Sequence, residues 1–297
     1  MFTGLSAFPL TPVTAAGIDE QGLVNILARL TEAGVDSLGV LGSTGSFAYL
    51  TRAQKKRVAE LAAQHAGGIP LMVGIGAYGT EQILQLADDA QTAGADALLL
   101  PVLCYQPLTD DEVFAQYETV TRHSSVPLCV YNNPRTTGFE FSDELLARVA
   151  ALPGVQSVKM PGVRLEPARM QRLREILPAE VAIGVSGDEF AGRGLNGGCE
   201  VWYSVCGGLF PHCARQIVDA ARAGDGGRVS ELIARLEPLW QLFRRHGSIR
   251  VMAAAAGILG LSDIDCLPRP LQPLSSEACG DIAAVMTQLG FILEGFD

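Results

Sequence analysis

The sequence predicts a closed parallel α/β barrel of eight strand–helix units, a (β/α)8 TIM barrel, followed by a helical extension. Three observations carry this reading. Eight short apolar runs recur along the chain, longer amphipathic segments separate them, and no strand-like run follows residue 224. The runs end near Phe8, Leu41, Gly74, Leu100, Tyr131, Lys159, Val185 and Ser204, at intervals of 19 to 33 residues. One strand, one crossover helix and two loops occupy roughly 30 residues, and such units in series require parallel strands. Eight of them close a barrel.

The segments between the runs read as helices. Asp19 to Ala33, Thr51 to Ala66, Thr80 to Ala93 and Asp110 to Arg122 each begin near Thr or Asp, which cap helix N-termini, and carry apolar residues at helical spacing. Gly34, Gly67 and Gly94 stop the first three. A helix from about Phe210 to Ala223 completes the eighth unit, and the turn Gly224-Asp225-Gly226-Gly227 leads into further helical pattern. The expected organisation is a catalytic barrel over 1–224 and a helical extension over 225–297. An open, doubly wound sheet is the rival, since Gly74-Ile75-Gly76-Ala77-Tyr78-Gly79 spells G-x-G-x-x-G. That motif lies in the third unit instead of the first, so a glycine turn between strand and helix is the preferred reading.

Composition limits the partners. A chain of 297 residues, 48% hydrophobic, buries a large core, and its net charge of -10 disfavours nucleic acid or an anionic membrane. A small molecule is the expected ligand. No basic leader opens the N-terminus and no apolar run approaches the roughly 18 residues of a membrane span, so a cytoplasmic protein is expected. Seven cysteines without a C-x-x-C pair read as reduced thiols, and the four histidines form no zinc-ligand pattern. No metal and no cofactor are expected. Gly207-Gly208, before the eighth helix, reads as a close-packing turn although late barrel loops can hold phosphate.

Among 22 basic residues only Lys55, Lys56 and Lys159 are lysines, so arginine serves wherever charge alone is wanted. Lys55 and Lys56 fall in the polar stretch Arg52 to Arg57 of an amphipathic helix, where a solvated face explains them. Lys159 follows the apolar run Val155-Gln156-Ser157-Val158, at the strand end where barrel active sites are built. Burial there disfavours the ammonium, and a free amine attacks a ketone carbon to give an imine, an electron sink for the adjacent carbon bond. Arginine stays protonated and cannot do this. A snorkelling strand-end lysine is the plain alternative. Tyr131 ends the preceding strand, which would bring phenol and amine together for proton transfer; it could equally cap the barrel rim. Gly42-Ser43-Thr44-Gly45 suits a tight turn whose amides and hydroxyls face a carboxylate, or an ordinary turn.

Taken together, Gly42-Ser43-Thr44-Gly45, Tyr131-Asn132-Asn133-Pro134 and Val158-Lys159 resemble, in order and spacing, the dihydrodipicolinate synthase and N-acetylneuraminate lyase family over essentially the whole chain. The resemblance implies a barrel with a helical C-terminal extension, a homotetramer built as a dimer of dimers, and metal-free class I aldolase chemistry on a 2-oxo acid. It implies that Lys159 forms the imine and Tyr131 transfers protons. It further implies that Ser43, Thr44 and Gly45 hold the carboxylate, with Thr44 in the relay and Tyr105 completing it across a dimer interface. Gly187, Asp188 and Glu189 match the place where sugar-acid lyases bind hydroxyls, although Asp188 could also cap the next helix. Tyr203, at the eighth strand end, joins them as a substrate-binding candidate.

Departures from the family bear on the substrate. Ser46 stands where a glutamate is usual, and Cys104 replaces an aromatic before Tyr105. Thr136 occupies the place of the arginine with which dihydrodipicolinate synthases hold their second substrate, and Arg135 falls one place early. The leading expectation is reversible carbon–carbon cleavage of a hydroxylated 2-oxo acid through a lysine imine with pyruvate. Elimination of water or ammonia through the same imine, 4-hydroxy-tetrahydrodipicolinate synthesis proper, and a non-catalytic small-acid sensor stand as alternatives.

Overall fold

Period-two alternation in the short apolar runs is what sorts this chain into layers. The structure, a computed structural model, describes residues 1–292. Eight parallel strands close a barrel: β1 Gly4–Ala7, β2 Ser37–Val40, β3 Leu71–Gly74, β4 Ala97–Pro101, β5 Leu128–Tyr131, β6 Val155–Pro161, β7 Ala182–Ser186 and β8 Val201–Ser204. Each pairs with its sequence neighbour, and β8 returns to β1. Helices fill the crossovers: α1 Glu20–Glu32, α2 Arg52–His65, α3 Thr80–Ala93, α4 Asp110–His123, α5 Asp143–Ala150, α6 Pro167–Ile176, α7 Ala191–Asn196 and α8 Pro211–Arg222. Asp19 and Thr51 cap α1 and α2 by accepting from first-turn amides, Thr109 and not Asp110 does so for α4, and α3 starts after Gly79 without a side-chain cap.

Alternation separates two cores. Leu128 and Val130 of β5, Val158 and Met160 of β6 and Trp202 of β8 pack outward against the helices. Cys129, Tyr131, Val201 and Tyr203 point inward, into a smaller cluster with Phe8, Met72, Ala97 and Leu99. The same parity sends Ser157 and Lys159 inward, so the lysine's direction follows from strand geometry.

Beyond the barrel, α9 Gly226–Arg235, α10 Glu237–His246, α11 Ser248–Ile258 and α12 Ser276–Leu289 form the helical extension. Residues 293–297 of the expected extension lie outside the described residues. Two details differ from the sequence expectation. β6 runs to Pro161, two residues past Lys159. A hairpin of Val13–Thr14 with Gly17–Ile18 precedes α1, too short to leave a pattern. The Gly74–Gly79 stretch agrees with its reading as a glycine turn between strand and helix: a Cβ on Gly76 would lie 2.4 Å from Phe47, and one on Gly74 would lie 2.0 Å from the Leu41 carbonyl oxygen. Among the described residues no helix is long and apolar enough to cross a membrane.

Candidate active site

Register sets the pair that defines the site. Tyr131 on β5 stands directly beside Lys159 on β6, and both face inward. Lys159 is 5% exposed and Tyr131 3%. The lysine Nζ lies 4.6 Å from the Tyr131 ring centroid, 3.6 Å from that of Phe8 and 5.4 Å from that of Tyr203. Among the described residues no hydrogen bond holds this ammonium.

Burial pushes the Lys159 amine below its ordinary value, and the opposing pull of Tyr131, Cys129 and Asp188 does not overcome it. Burial alone would raise the Tyr131 phenol. The Lys159 cation, with hydrogen bonding from Ser43, Asn133 and the adjacent Thr136, more than reverses this and leaves the phenol below its ordinary value. The two groups are coupled: burial disfavours the ammonium, while the ammonium is what lowers the phenol, so amine and phenol are placed to share a proton as transfer around a carbinolamine requires.

The Tyr131 Oη is 3.1 Å from Ser43 Oγ and accepts from Asn133 Nδ2 at 3.1 Å. Ser43 belongs to the turn after β2, whose backbone is tightly wound. Leu41 takes φ 58°, a left-handed value unusual for a non-glycine residue, and a Cβ on Gly45 would lie 2.9 Å from the Leu41 amide nitrogen. The hydroxyl that reaches Tyr131 is Ser43's; Thr44, assigned to the relay by resemblance, is buried and makes no side-chain hydrogen bond among the described residues.

Asn133 is the residue that sequence reasoning passed over. It lay inside a quoted motif, but its side-chain direction depends on the sharp turn into the helical turn Pro134–Thr137. In that turn the Thr136 hydroxyl bonds to the Asn133 carbonyl at 3.3 Å. Arg135 is exposed at the mouth without a bonded partner among the described residues.

Other candidates are placed elsewhere. Tyr105 is 86% exposed and makes no bond to Tyr131 within the chain. Cys104 ties the neighbouring loops together, its amide donating to the Thr137 carbonyl at 3.2 Å. The Tyr203 phenol turns downward beneath Lys159, 2.6 Å from Ser157 Oγ, and accepts from Cys129 Sγ at 3.4 Å.

Asp188 does not cap the following helix. It follows Gly187, whose φ of +85° favours glycine, and its carboxylate accepts from Trp202 Nε1, Ser204 Oγ, and the amides of Val205 and Cys206 at 2.7–3.2 Å. Burial raises it to about 6 against those four donors. Its role is to tie the turn after β7 to the turn after β8. Glu189 is engaged by Arg244 of α10 at 2.6 Å. Lys55 also departs from expectation: it is half-buried, donates to the Gly76 carbonyl at 3.2 Å and lies over Phe47, so its helix face is not simply solvated.

Comparison with known proteins converges on one family. The family model described as the dihydrodipicolinate synthetase family matches residues 1–289. A 4-hydroxy-tetrahydrodipicolinate synthase of Phenylobacterium zucineum is 29% identical over 294 residues, 98% of this chain and 99% of the relative. The crystal structure of a dihydrodipicolinate synthase from Agrobacterium tumefaciens superposes with a TM-score of 0.93 at 44% identity, over 97% of this chain and 98% of that one. That of Aquifex aeolicus, 23% identical over 98% of both chains, shares the fold with a TM-score of 0.91.

Proposed function

Since the chain belongs to the dihydrodipicolinate synthetase family of Schiff-base-forming lyases, we propose that Lys159 forms an imine with pyruvate or a related 2-oxo acid, and that the enzyme makes or breaks the adjacent carbon–carbon bond of a hydroxylated 2-oxo acid. The observation that carries this is the register of Tyr131 with Lys159: a buried amine with no hydrogen-bond partner among the described residues sits 4.6 Å from the ring of a phenol held below its ordinary value.

The free amine adds to the ketone carbon and the carbonyl oxygen takes up a proton. Protonation of the resulting hydroxyl, with Tyr131 as carrier, expels water and leaves the protonated imine. Electrons from the breaking carbon–carbon bond then flow into that cation. Ser43 fixes Tyr131, and the turn Ser43-Thr44-Gly45 is the carboxylate site in this reading. Asp188, Glu189 and Tyr203 shape the cavity through the contacts described, while the backbone of Gly187 and the mouth residues Arg135 and Thr136 face the distal part of the substrate.

Thr136 speaks against 4-hydroxy-tetrahydrodipicolinate synthesis proper, the activity the relatives are named for, because a hydroxyl engaged with the Asn133 carbonyl does not replace a guanidinium clamp on a second carboxylate. Exposed Tyr49, Tyr78 and Tyr105 follow three consecutive strands at one rim and support a subunit interface there. We place the chain in a homotetramer, a dimer of dimers, in the cytoplasm. Sedimentation measures the assembly.

A panel of hydroxylated 2-oxo acids, with product analysis, tests the reaction. Release of pyruvate together with an aldehyde supports carbon–carbon cleavage. Loss of water or ammonia with the carbon chain intact would transfer the imine to an elimination reaction. Stabilisation by pyruvate that persists unchanged in Lys159→Ala, with no turnover, would mark a sensor instead.

A further inference from the structure

Lys159 meets its nearest charge-complementary surface in a place that the mechanism above does not use. The ring of Phe8, immediately after β1, presents its face to Nζ at 3.6 Å from the centroid, closer than either tyrosine. The barrel is built to hold that ring. Gly39 and Gly42, at the end of β2, leave its space open: a Cβ on Gly39 would lie 2.5 Å from Phe8 Cε2, and one on Gly42 would lie 2.7 Å from Cδ1. The Phe8 amide donates to the Ser204 carbonyl at 2.8 Å.

From the other side, Tyr203 meets Phe8 edge to face, with centroids 5.8 Å apart and planes at 90°. Tyr203 is itself fixed by Ser157 at 2.6 Å and stands in space left by Gly184, where a Cβ would lie 2.2 Å from the phenol ring. Inward glycines on β2 and β7 therefore exchange ordinary barrel filling for two rings, one braced by the other. The braced one faces the amine.

We propose that Phe8 is a further catalytic residue, whose ring face stabilises the cationic nitrogen of Lys159 and above all the protonated imine, the positively charged intermediate of the reaction. The inference rests on the Schiff-base reading and deepens it. A carbinolamine nitrogen is neutral and the iminium nitrogen is positive, so a fixed negative ring face favours the step in which water leaves. Burial favours the free amine before attack; the ring favours the cation after it. Among the described residues no carboxylate is bonded to Nζ, and the Asp188 oxygens are engaged by four other donors. The titratable groups facing Nζ are Tyr131 and Cys129 of β5, Tyr203 of β8 and Asp188 after β7. None of them changes when Phe8 alone is altered.

Replacing Phe8 by mono-, di- and pentafluorophenylalanine keeps the ring's shape while draining charge from its face. Two quantities are read on the full-length protein: the pyruvate concentration that half-saturates the borohydride-trapped imine, and the pH at which the Lys159 amine becomes reactive. The proposal expects the imine, measured above the pH at which the amine becomes reactive, to weaken progressively, by about 3- to 30-fold at pentafluorophenylalanine, the factor a desolvated cation–π contact supplies. It also expects the amine to become reactive at lower pH, because its ammonium loses the same support. Phe8→Leu, which removes the face altogether, should fall at or beyond the end of the series. An imine that forms in the wild-type protein but is unchanged across the fluorinated series overturns the role of Phe8 and leaves the Schiff base standing. No imine in the wild-type protein overturns the Schiff-base reading itself.

Discussion

Tyr131→Phe removes one oxygen atom and leaves the ring that fills the barrel interior. The oxygen's partners are Ser43 Oγ and Asn133 Nδ2, each at 3.1 Å, and both residues are half-buried and can turn to water. Losing two such bonds costs about 1 kcal/mol of stability or less, because water replaces them. The expected loss in rate is far larger. A positioned proton carrier contributes about 10²- to 10⁴-fold, or roughly 3–5 kcal/mol of barrier. The disparity is the signature of catalysis as opposed to folding. Removing the phenol oxygen also takes away a group that favours the Lys159 cation, so the amine becomes freer and attack on the ketone is not the step that suffers. The variant should therefore melt close to the wild type and still form a trappable pyruvate adduct, while kcat for product release falls about 100-fold or more. Steady-state turnover, thermal denaturation and borohydride trapping on the same preparation check all three. A turnover within about threefold of wild type, less than 1 kcal/mol of barrier, would refute the assignment of proton transfer to Tyr131.

Three further outcomes follow from the same contacts. Lys159→Met should stabilise the protein by about 1–2 kcal/mol at neutral pH, because it removes a buried amine that burial makes costly to charge and that has no hydrogen bond among the described residues. The lysine is held below its ordinary 10.5 in the fold, so the gain is full below the folded value and disappears as pH rises past the unfolded one; urea unfolding near neutrality and at about pH 10 reads the difference. Asn133→Val takes a donor from the Tyr131 oxygen, and the limb of the pH–rate profile that reports the phenol should move up by about half to one unit, the worth of one hydrogen bond. Asp188→Asn turns an amide toward donors that a carboxylate satisfied, and should lower unfolding stability by about 2–4 kcal/mol, seen as a lower midpoint in denaturant.

Much of this arrangement is legible in the residues themselves. The barrel follows from the spacing of apolar runs, and the pairing of Lys159 with Tyr131 follows because consecutive parallel strands bring their ends together. Lys159 stands out because arginine supplies nearly every other positive charge. What the sequence does not reveal is direction. Whether Ser43 or Thr44 reaches the phenol depends on how the turn after Leu41 winds, and Leu41 itself takes a left-handed conformation that its residue type does not announce. Asp188 reads equally as a helix cap or a substrate ligand until β8 brings Trp202, Ser204 and two amides against it. Phe8 looks like an apolar residue after a strand. Only closure of β1 against β8 and β2, with glycines at 39, 42 and 184, shows that its ring has been given a place beneath the amine. Lys55 reads as surface because periodicity does not show the Gly76 carbonyl that receives it.

Lys55 makes the decisive measurement discriminating, since burial lowers its amine as well and it is one of only three lysines in the chain. The protein is incubated with pyruvate and reduced with borohydride, and the adduct is located by peptide mass mapping. A single reduced pyruvate on Lys159, lost in Lys159→Ala, is the predicted result. No adduct, or an adduct on Lys55 or Lys56 that survives in Lys159→Ala, would contradict the account.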